Sequence, residues 1–125
     1  MNVNIIATIL FVLFDIIWIY FLMNDKYNIM VSSIQGGVPM QSNLWYSIVT
    51  YIFLLIGLNI LLIPNLNNEN IYWYPFVFGL VVYGVFSFTN AAIFKEWDLS
   101  VALLDTLWGA FLYFITIFLS MKIYC

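Results

Sequence analysis

Apolar residues fill four long segments of the chain, and short polar stretches separate them. The segments are residues 3–23, 44–63, 71–94 and 99–121. Each approaches the ~20 apolar residues that a helix needs to cross a hydrocarbon core of ~30 Å. Helices are required because lipid offers no hydrogen-bond partners to backbone groups. The pattern predicts an all-α, polytopic membrane protein: one domain over residues 1–125, with four transmembrane helices in an antiparallel bundle.

The connections between the segments define two faces of the membrane. Four spans place both termini and the second connection on one face, here called the terminal face, and the first and third connections on the other, the loop face. The third connection, "KEWD" at residues 95–98, is tight and predicts a hairpin of spans three and four. Asp98 or Ser100 is expected to cap the fourth helix. In the longer first connection, "KYNIMVSSI" (residues 26–34) could lie along the membrane interface as a short helix.

Composition and charge support a membrane location and exclude several other classes. Of the 125 residues, 66% are hydrophobic and 7% are charged, too few charges for the surface of a soluble domain. The chain has no histidine and no arginine, so no basic patch exists for nucleic acid. Cys125, interpreted as a bystander thiol, is the only cysteine, which excludes an internal disulfide and a zinc site of cysteine or histidine. We expect membrane lipid as a partner, and no cofactor or metal.

Two aspartates interrupt the apolar spans. Asp15 and Asp105 are the only charges in spans one and four, and Trp18 and Trp108 follow them by three residues. A rise of 1.5 Å per residue puts the carboxyls roughly 12 Å and 9 Å from the loop face. Inserting a charged carboxyl at this depth costs about 2.5–3.5 kcal/mol, and such a residue usually marks an ion or proton route. The structural alternative is a hydrogen bond between helices. Because residues three apart share a helix face, each indole could cover the aspartate of its own helix or simply pack.

Polar residues of spans two and three fall at the same depth as the aspartates. We therefore predict one pocket in the half of the membrane nearer the loop face. Its residues are Asp15, Trp18, Thr50, Tyr51, Tyr83, Ser87, Asn90, Asp105 and Trp108, with Lys95 at the rim. Lys95 is the only candidate counter-ion, and two acids close together should share a proton. Outside the pocket, Asn59 is expected to bond helices within or between subunits, and Gly79 and Gly84 to permit close helix approach.

The residues from Phe76 to Phe111 resemble a widespread family of small four-helix membrane proteins, domain-of-unknown-function family 2177. The matching features are Gly79, Tyr83, "TN" at Thr89 and Asn90, Trp97 and "DTLWG" at residues 105–109. "DIIW" at residues 15–18 resembles the N-terminal motif of that family. The family usually has an aspartate where this chain has Ser87. The resemblance implies the four-helix fold but no activity.

The buried acids favour transport as the function. In this hypothesis the protein is a small channel or carrier for protons, a cation or a small solute, and Asp15 and Asp105 bind the cargo or a coupling proton. A dimer is expected, because one small bundle has little room for a path. The alternative is a binding or scaffold protein for lipid or another apolar ligand. A lipid-modifying enzyme, with the carboxyls as acid and base or as metal ligands with Asn90, is less favoured because no nucleophile or metal motif appears.

Overall fold

A computed structural model describes residues 2–41 and 43–124. Cys125 lies outside the described residues, and so does the prediction made for it. Throughout the described ranges the regular secondary structure is helical. The elements are α1 (Val3–Ile17), a π-helical segment (Trp18–Met23), α2 (Asn24–Ile34), α3 (Leu44–Ile56), a second π-helical segment (Gly57–Leu62), a 3-10 turn (Ile63–Asn65), α4 (Tyr74–Ile93) and α5 (Leu99–Tyr124).

These elements form four continuous helices that are long and apolar enough to cross a membrane. They are Val3–Ile34, Leu44–Asn65, Tyr74–Ile93 and Leu99–Tyr124. The predicted all-α, multi-pass membrane architecture is confirmed.

The first span is longer than the hydropathy pattern predicts. Instead of ending near residue 23, it continues through α2 to Ile34, for 32 residues. At 1.5 Å per residue this helix is roughly 48 Å long, against a hydrocarbon core of ~30 Å. The cause is a second apolar stripe: Met23, Tyr27, Met30 and Ile34 follow one another by four, three and four residues and pack together at the loop-face end of α5. The segment 26–34 is therefore part of the first span and not a separate interfacial helix.

Helix ends are closed by local hydrogen bonds. Gly36 and Gly37, at φ +69° and +93°, end α2, and the Gly37 N–H donates to the Ser32 carbonyl at 2.8 Å. At the start of α5, the Ser100 N–H donates to the Asp98 carboxylate at 2.8 Å. Asp98 therefore caps the helix, as one of the two predicted candidates. The bonds from the backbone and hydroxyl of Ser100 lower the pKa of the Asp98 carboxyl.

α5 is the central helix, and α4 packs closely against it. A Cβ at Gly79 would overlap the carbonyl oxygen of Gly109, and a Cβ at Gly109 would overlap the ring of Tyr83. The predicted role in close helix approach is confirmed for Gly79; at Gly84 the nearest atom to a Cβ is the Thr106 side-chain methyl, at 3.3 Å. The same antiparallel register places Ser87 of α4 against Asp105 of α5, with their polar atoms 3.3 Å apart.

α1 packs on another side of α5 and also runs antiparallel to it. The Phe11 and Tyr113 ring centroids are 4.8 Å apart, and those of Trp18 and Trp108 are 4.6 Å apart. Residue numbers thus rise along α1 as they fall along α5. The main core lies toward the terminal face; its buried residues are Ala7, Phe11, Leu58, Leu62, Leu112, Tyr113 and Ile117.

α3 is the least packed helix. None of its residues is buried, whereas the π-helical segment that follows buries Leu58 and Leu62. Beside that segment, the Asn59 amide donates to the Thr8 hydroxyl and its carbonyl accepts from the Asn4 amide, both at 3.0 Å. The expected helix-bonding role of Asn59 is confirmed, and it acts within the chain. The second span is therefore held firmly near the terminal face and loosely near the loop face.

Candidate functional site

Two buried carboxyls form the centre of the candidate site. Asp15 on α1 is 4% exposed and Asp105 on α5 is 2% exposed. Both lie toward the loop-face half of the bundle, away from the main core. No hydrogen bond joins the two carboxyls; each has its own set of donors. The sequence predicts a proton shared by the two carboxyls, but no hydrogen bond between them is present to hold it.

Asp15 is the point where all four spans meet. Its Oδ2 accepts a hydrogen bond from the Tyr51 hydroxyl of α3 at 2.8 Å. Its Oδ1 accepts from the Tyr83 hydroxyl of α4 at 3.3 Å and from Trp108 Nε1 of α5 at 3.2 Å. Three neutral donors thus converge on one carboxyl of α1. Such bonds favour the charged form of a carboxyl, while burial opposes it.

Asp105 is held by donors from two other elements. Its Oδ1 accepts from the hydroxyl of Tyr27 on α2, and its Oδ2 accepts from Ser87 Oγ on α4. Ser87 is fully buried and accepts in turn from Trp97 Nε1 at 3.3 Å. The family resemblance implies an aspartate at this position, which would place a second carboxyl against Asp105. Ser87 supplies a hydroxyl donor instead.

Each tryptophan lies beside the aspartate of the other helix, an arrangement called crosswise here. Trp108 Nε1 donates to Asp15, not to Asp105 of its own helix. Trp18 stacks on Trp108 with an interplanar angle of 3°, on the side of Asp105. Of the interpretations left open for the indoles, a hydrogen bond to the aspartate three residues earlier does not form at Trp108, because its N–H bonds Asp15 instead.

Antiparallel packing explains this exchange. Trp18 lies three residues, about 4.5 Å, closer to the loop face than Asp15, and Trp108 lies the same distance farther from it than Asp105. Each indole is therefore level with the aspartate of the neighbouring helix. Trp18 Nε1 is buried but has no hydrogen-bond partner among the described residues. The stacked indoles therefore lie between the two carboxyl sites. The N–H of Trp108 bonds Asp15, and the N–H of Trp18 is unbonded within the described ranges.

Tyr27 is the site residue that sequence analysis missed. Placing residues 26–34 in an interfacial helix removed it from the predicted pocket, yet its hydroxyl bonds Asp105. The apolar positions from Met23 to Ile34 are spaced by four, three and four residues, which continues the helical stripe of span one. This spacing indicates that the helix extends past Tyr27. α2 thus closes the loop-face side of the Asp105 site.

Thr50, Asn90 and Lys95 were also predicted for the pocket, but the structure does not bring them to the carboxyls. Thr50 is exposed and its hydroxyl bonds the Tyr46 carbonyl at 2.9 Å, because one residue along a helix turns the side chain by about 100° away from Tyr51. Asn90 lies one turn closer to the loop face than Ser87. Lys95 is exposed in the connection before α5.

Two consequences follow for the chemistry of the site. All three lysines of the chain are exposed, so the carboxyls are surrounded by neutral hydroxyl and indole donors and no cationic side chain. Within residues 2–41 and 43–124, no three acidic or thiol side chains cluster as metal ligands. The arrangement can bind and release protons, or bind a small donor that replaces one of the hydroxyls.

A separate cleft of about 240 Å³ lies between α3, α4 and α5, beside the Asp15 site. Thr50 contributes to it together with mostly apolar side chains. The lining residues are Thr50, Phe53, Leu54, Gly57, Phe78, Val82 and Tyr113. The Tyr113 hydroxyl is bonded to the Leu54 carbonyl at 3.2 Å, which leaves the cleft few free polar groups.

Comparison with known proteins identifies the family and adds no activity. A family model described as "Predicted membrane protein (DUF2177)" matches residues 1–121. No match is found among curated proteins or among solved structures. Since the family model covers nearly the whole chain, the protein belongs to the DUF2177 family of predicted membrane proteins.

Proposed function

We propose that the protein is a small membrane transporter that moves protons, alone or coupled to a cation or small solute, by binding and releasing them at Asp15 and Asp105. The observation that carries the proposal is the pairing of two buried carboxyls with neutral donors only. A buried carboxylate paired with lysine or arginine remains ionised, because the cation stabilises the charged form. A carboxyl surrounded by neutral hydroxyls has no such cation to hold it in the charged form, so it can bind and release a proton.

The hydroxyl donors suit both protonation states. A tyrosine or serine hydroxyl can donate to a carboxylate and, after rotation, accept from a protonated carboxyl. Tyr51 and Tyr83 can do this at Asp15, and Tyr27 and Ser87 at Asp105. Trp108 can only donate, so it stabilises the ionised form of Asp15. The hydroxyls can therefore remain bonded to each carboxyl through loss and gain of a proton.

The packing of the spans supports separate access to the two carboxyls. Tyr27 places the Asp105 site under α2, next to the loop face. Asp15 is reached through Tyr51 on α3, the helix with no buried residue. The stacked pair of Trp18 and Trp108 lies between the two. Movement of α3 would expose Asp15 while α2 and the indoles still cover Asp105, so the two carboxyls could exchange protons in separate steps.

We also propose that the transporting unit is a dimer. The clefts beside the carboxyls and near the terminal face have volumes of about 240 and 120 Å³, little space for a through-path within one chain. α3 presents exposed apolar side chains along its length, among them Ile48, Ile52 and Phe53. A second copy packed there would enclose the Asp15 side of the site.

A second candidate function is the binding of an apolar ligand. The cleft of about 240 Å³ favours it, because aromatic and aliphatic side chains line it and it opens toward lipid. In that case Asp15 and Asp105 would bond helices together. An apolar molecule that copurifies with the protein and is lost after Thr50→Phe, which places a ring in the cleft from an exposed position, would favour this function.

The test is proton flux in reconstituted vesicles. Wild type would be compared with Asp15→Asn and Asp105→Asn, each of which keeps the side-chain shape and removes the titratable group. Asp25→Asn is the matched control, because Asp25 is exposed on the loop side of the first span. We expect flux in wild type and the control, and its loss in both site variants while they stay folded. No flux in wild type under proton or cation gradients, or full flux in both site variants, would refute the proposal.

A further inference from the structure

A cleft near the terminal face combines a positive charge with an aromatic wall. Its volume is about 120 Å³, and it lies between α5 and the residues that precede α4. The lining residues are Ile71, Tyr72, Phe114, Phe118, Met121 and Lys122. None of them belongs to the two carboxyl sites, so this cleft is a separate feature of the molecule.

The depth of the cleft matches the layers of a lipid leaflet. Lys122 lies 23 residues after Leu99, roughly 34 Å along α5, just beyond a hydrocarbon core of ~30 Å. Phe118 and Phe114 lie about 6 Å and 12 Å deeper along the same helix. Their rings are stacked, with centroids 6.0 Å apart. The amine therefore falls at the headgroup level, and the ring wall runs into the hydrocarbon.

Charge complementarity identifies the occupant. Lys26 and Lys95 have acidic sequence neighbours, Asp25 and Glu96, whereas the sequence neighbours of Lys122 are apolar or uncharged. Glu69, in the connection that forms the opposite wall, is exposed. The Lys122 amine lies 5.5 Å from the Phe118 ring centroid, which holds it over the cleft. A lysine at the membrane interface attracts anionic headgroups, and this one is joined to an apolar groove.

We propose that this cleft binds an anionic phospholipid, with its phosphate beside Lys122 and one acyl chain along Phe118 and Phe114. Tyr72, at the mouth of the cleft, carries a hydroxyl at headgroup level that can donate to the same phosphate. The exposed aromatic residues that precede α4 place this mouth in the interface, where amphipathic rings prefer to lie. The site does not depend on proton transport by the two aspartates.

A lipid-retention experiment tests the site. The protein would be reconstituted into nanodiscs with equal amounts of phosphatidylglycerol and phosphatidylcholine, and the lipids that stay bound after release would be counted by native mass spectrometry. We expect wild type to retain phosphatidylglycerol about fivefold over phosphatidylcholine, the preference that one interfacial lysine supplies. Lys122→Gln should abolish the preference. Lys26→Gln and Lys95→Gln, which remove equally exposed charges on the loop face, should keep it.

Two further arms separate the parts of the proposal. Phe118→Ala should reduce the retained phosphatidylglycerol, because it removes half of the ring wall; unchanged retention would overturn the acyl-chain placement. Inorganic phosphate should not displace the lipid; displacement would mean that the cleft takes free phosphate. No preference in wild type, or the same preference in Lys122→Gln as in wild type, would overturn the site.

Discussion

The contact between α4 and α5 positions both carboxyl sites, and a pair of glycines tests it. A Cβ at Gly79 would overlap the backbone carbonyl of Gly109, which cannot move unless the helices separate. A Cβ at Gly84 would lie 3.3 Å from Thr106 Cγ2, the end of a side chain that can shift by a few tenths of an ångström. The same substitution, glycine to alanine, thus meets a rigid obstacle at one position and a yielding one at the other.

The expected changes in the free energy of unfolding have opposite signs for the two variants. Overpacking costs about 1–3 kcal/mol, and alanine in place of glycine in a helix gains about 1 kcal/mol. For Gly79→Ala the upper end of that cost applies, so we expect a net destabilisation of about 2 kcal/mol. For Gly84→Ala we expect a change between about 0 and 1 kcal/mol in the stabilising direction.

The assay is reversible unfolding in mixed micelles with increasing dodecyl sulfate, followed by tryptophan fluorescence. The stacked indoles of Trp18 and Trp108 make the emission sensitive to packing in the site. Equal stability of the two alanine variants, or a Gly79→Ala variant more stable than Gly84→Ala, would refute the close approach of α4 and α5.

Three further predictions concern the two carboxyl sites and the cap of α5. Trp108→Phe should destabilise the fold by about 1.5–3 kcal/mol more than Trp18→Phe in the same micelle assay, because both variants keep a smaller ring in the stack but only Trp108→Phe removes a donor to a carboxyl; equal losses would contradict the crosswise arrangement. Tyr27→Phe should cost about 1.5–3 kcal/mol and lower proton flux, because Asp105 loses a donor from α2; wild-type stability and flux would show that α2 does not cover the site. At Asp98 the pKa is lowered in the folded state, so its stabilisation of α5 is present above the ordinary aspartate pKa and is lost as pH falls through the lowered value. Asp98→Asn should therefore remove part of the acid sensitivity of the thermal midpoint, and an unchanged midpoint profile between pH 2 and 5 would exclude this contribution.

Hydropathy and charge were enough to predict the four spans and the depth of the aspartates. Lipid imposes helices on any apolar segment of this length, and a rise of 1.5 Å per residue converts position into depth. Gly79 and Asn59 were also correctly assigned to helix contacts, because a small residue or an amide inside a membrane helix has few other uses.

The detailed geometry of the site required the structure. Depth does not determine rotation about a helix axis, so Thr50 and its neighbour Tyr51 were treated alike although only Tyr51 reaches Asp15. Sequence proximity also favoured contacts within one helix, whereas antiparallel packing brought Trp108 to the aspartate of α1. Tyr27 was missed because polar residues 24–26 ended the hydropathy signal before the helix itself ended.

The most direct measurement is the pH-driven flux of protons into vesicles that contain the purified protein, with Asp15→Asn, Asp105→Asn and the control Asp25→Asn measured in parallel. Proton transport through the two carboxyls predicts flux in wild type and in Asp25→Asn, and background leakage in the two site variants at equal protein content and equal folded fraction. Flux in both site variants equal to wild type, or leakage alone in wild type, would contradict it.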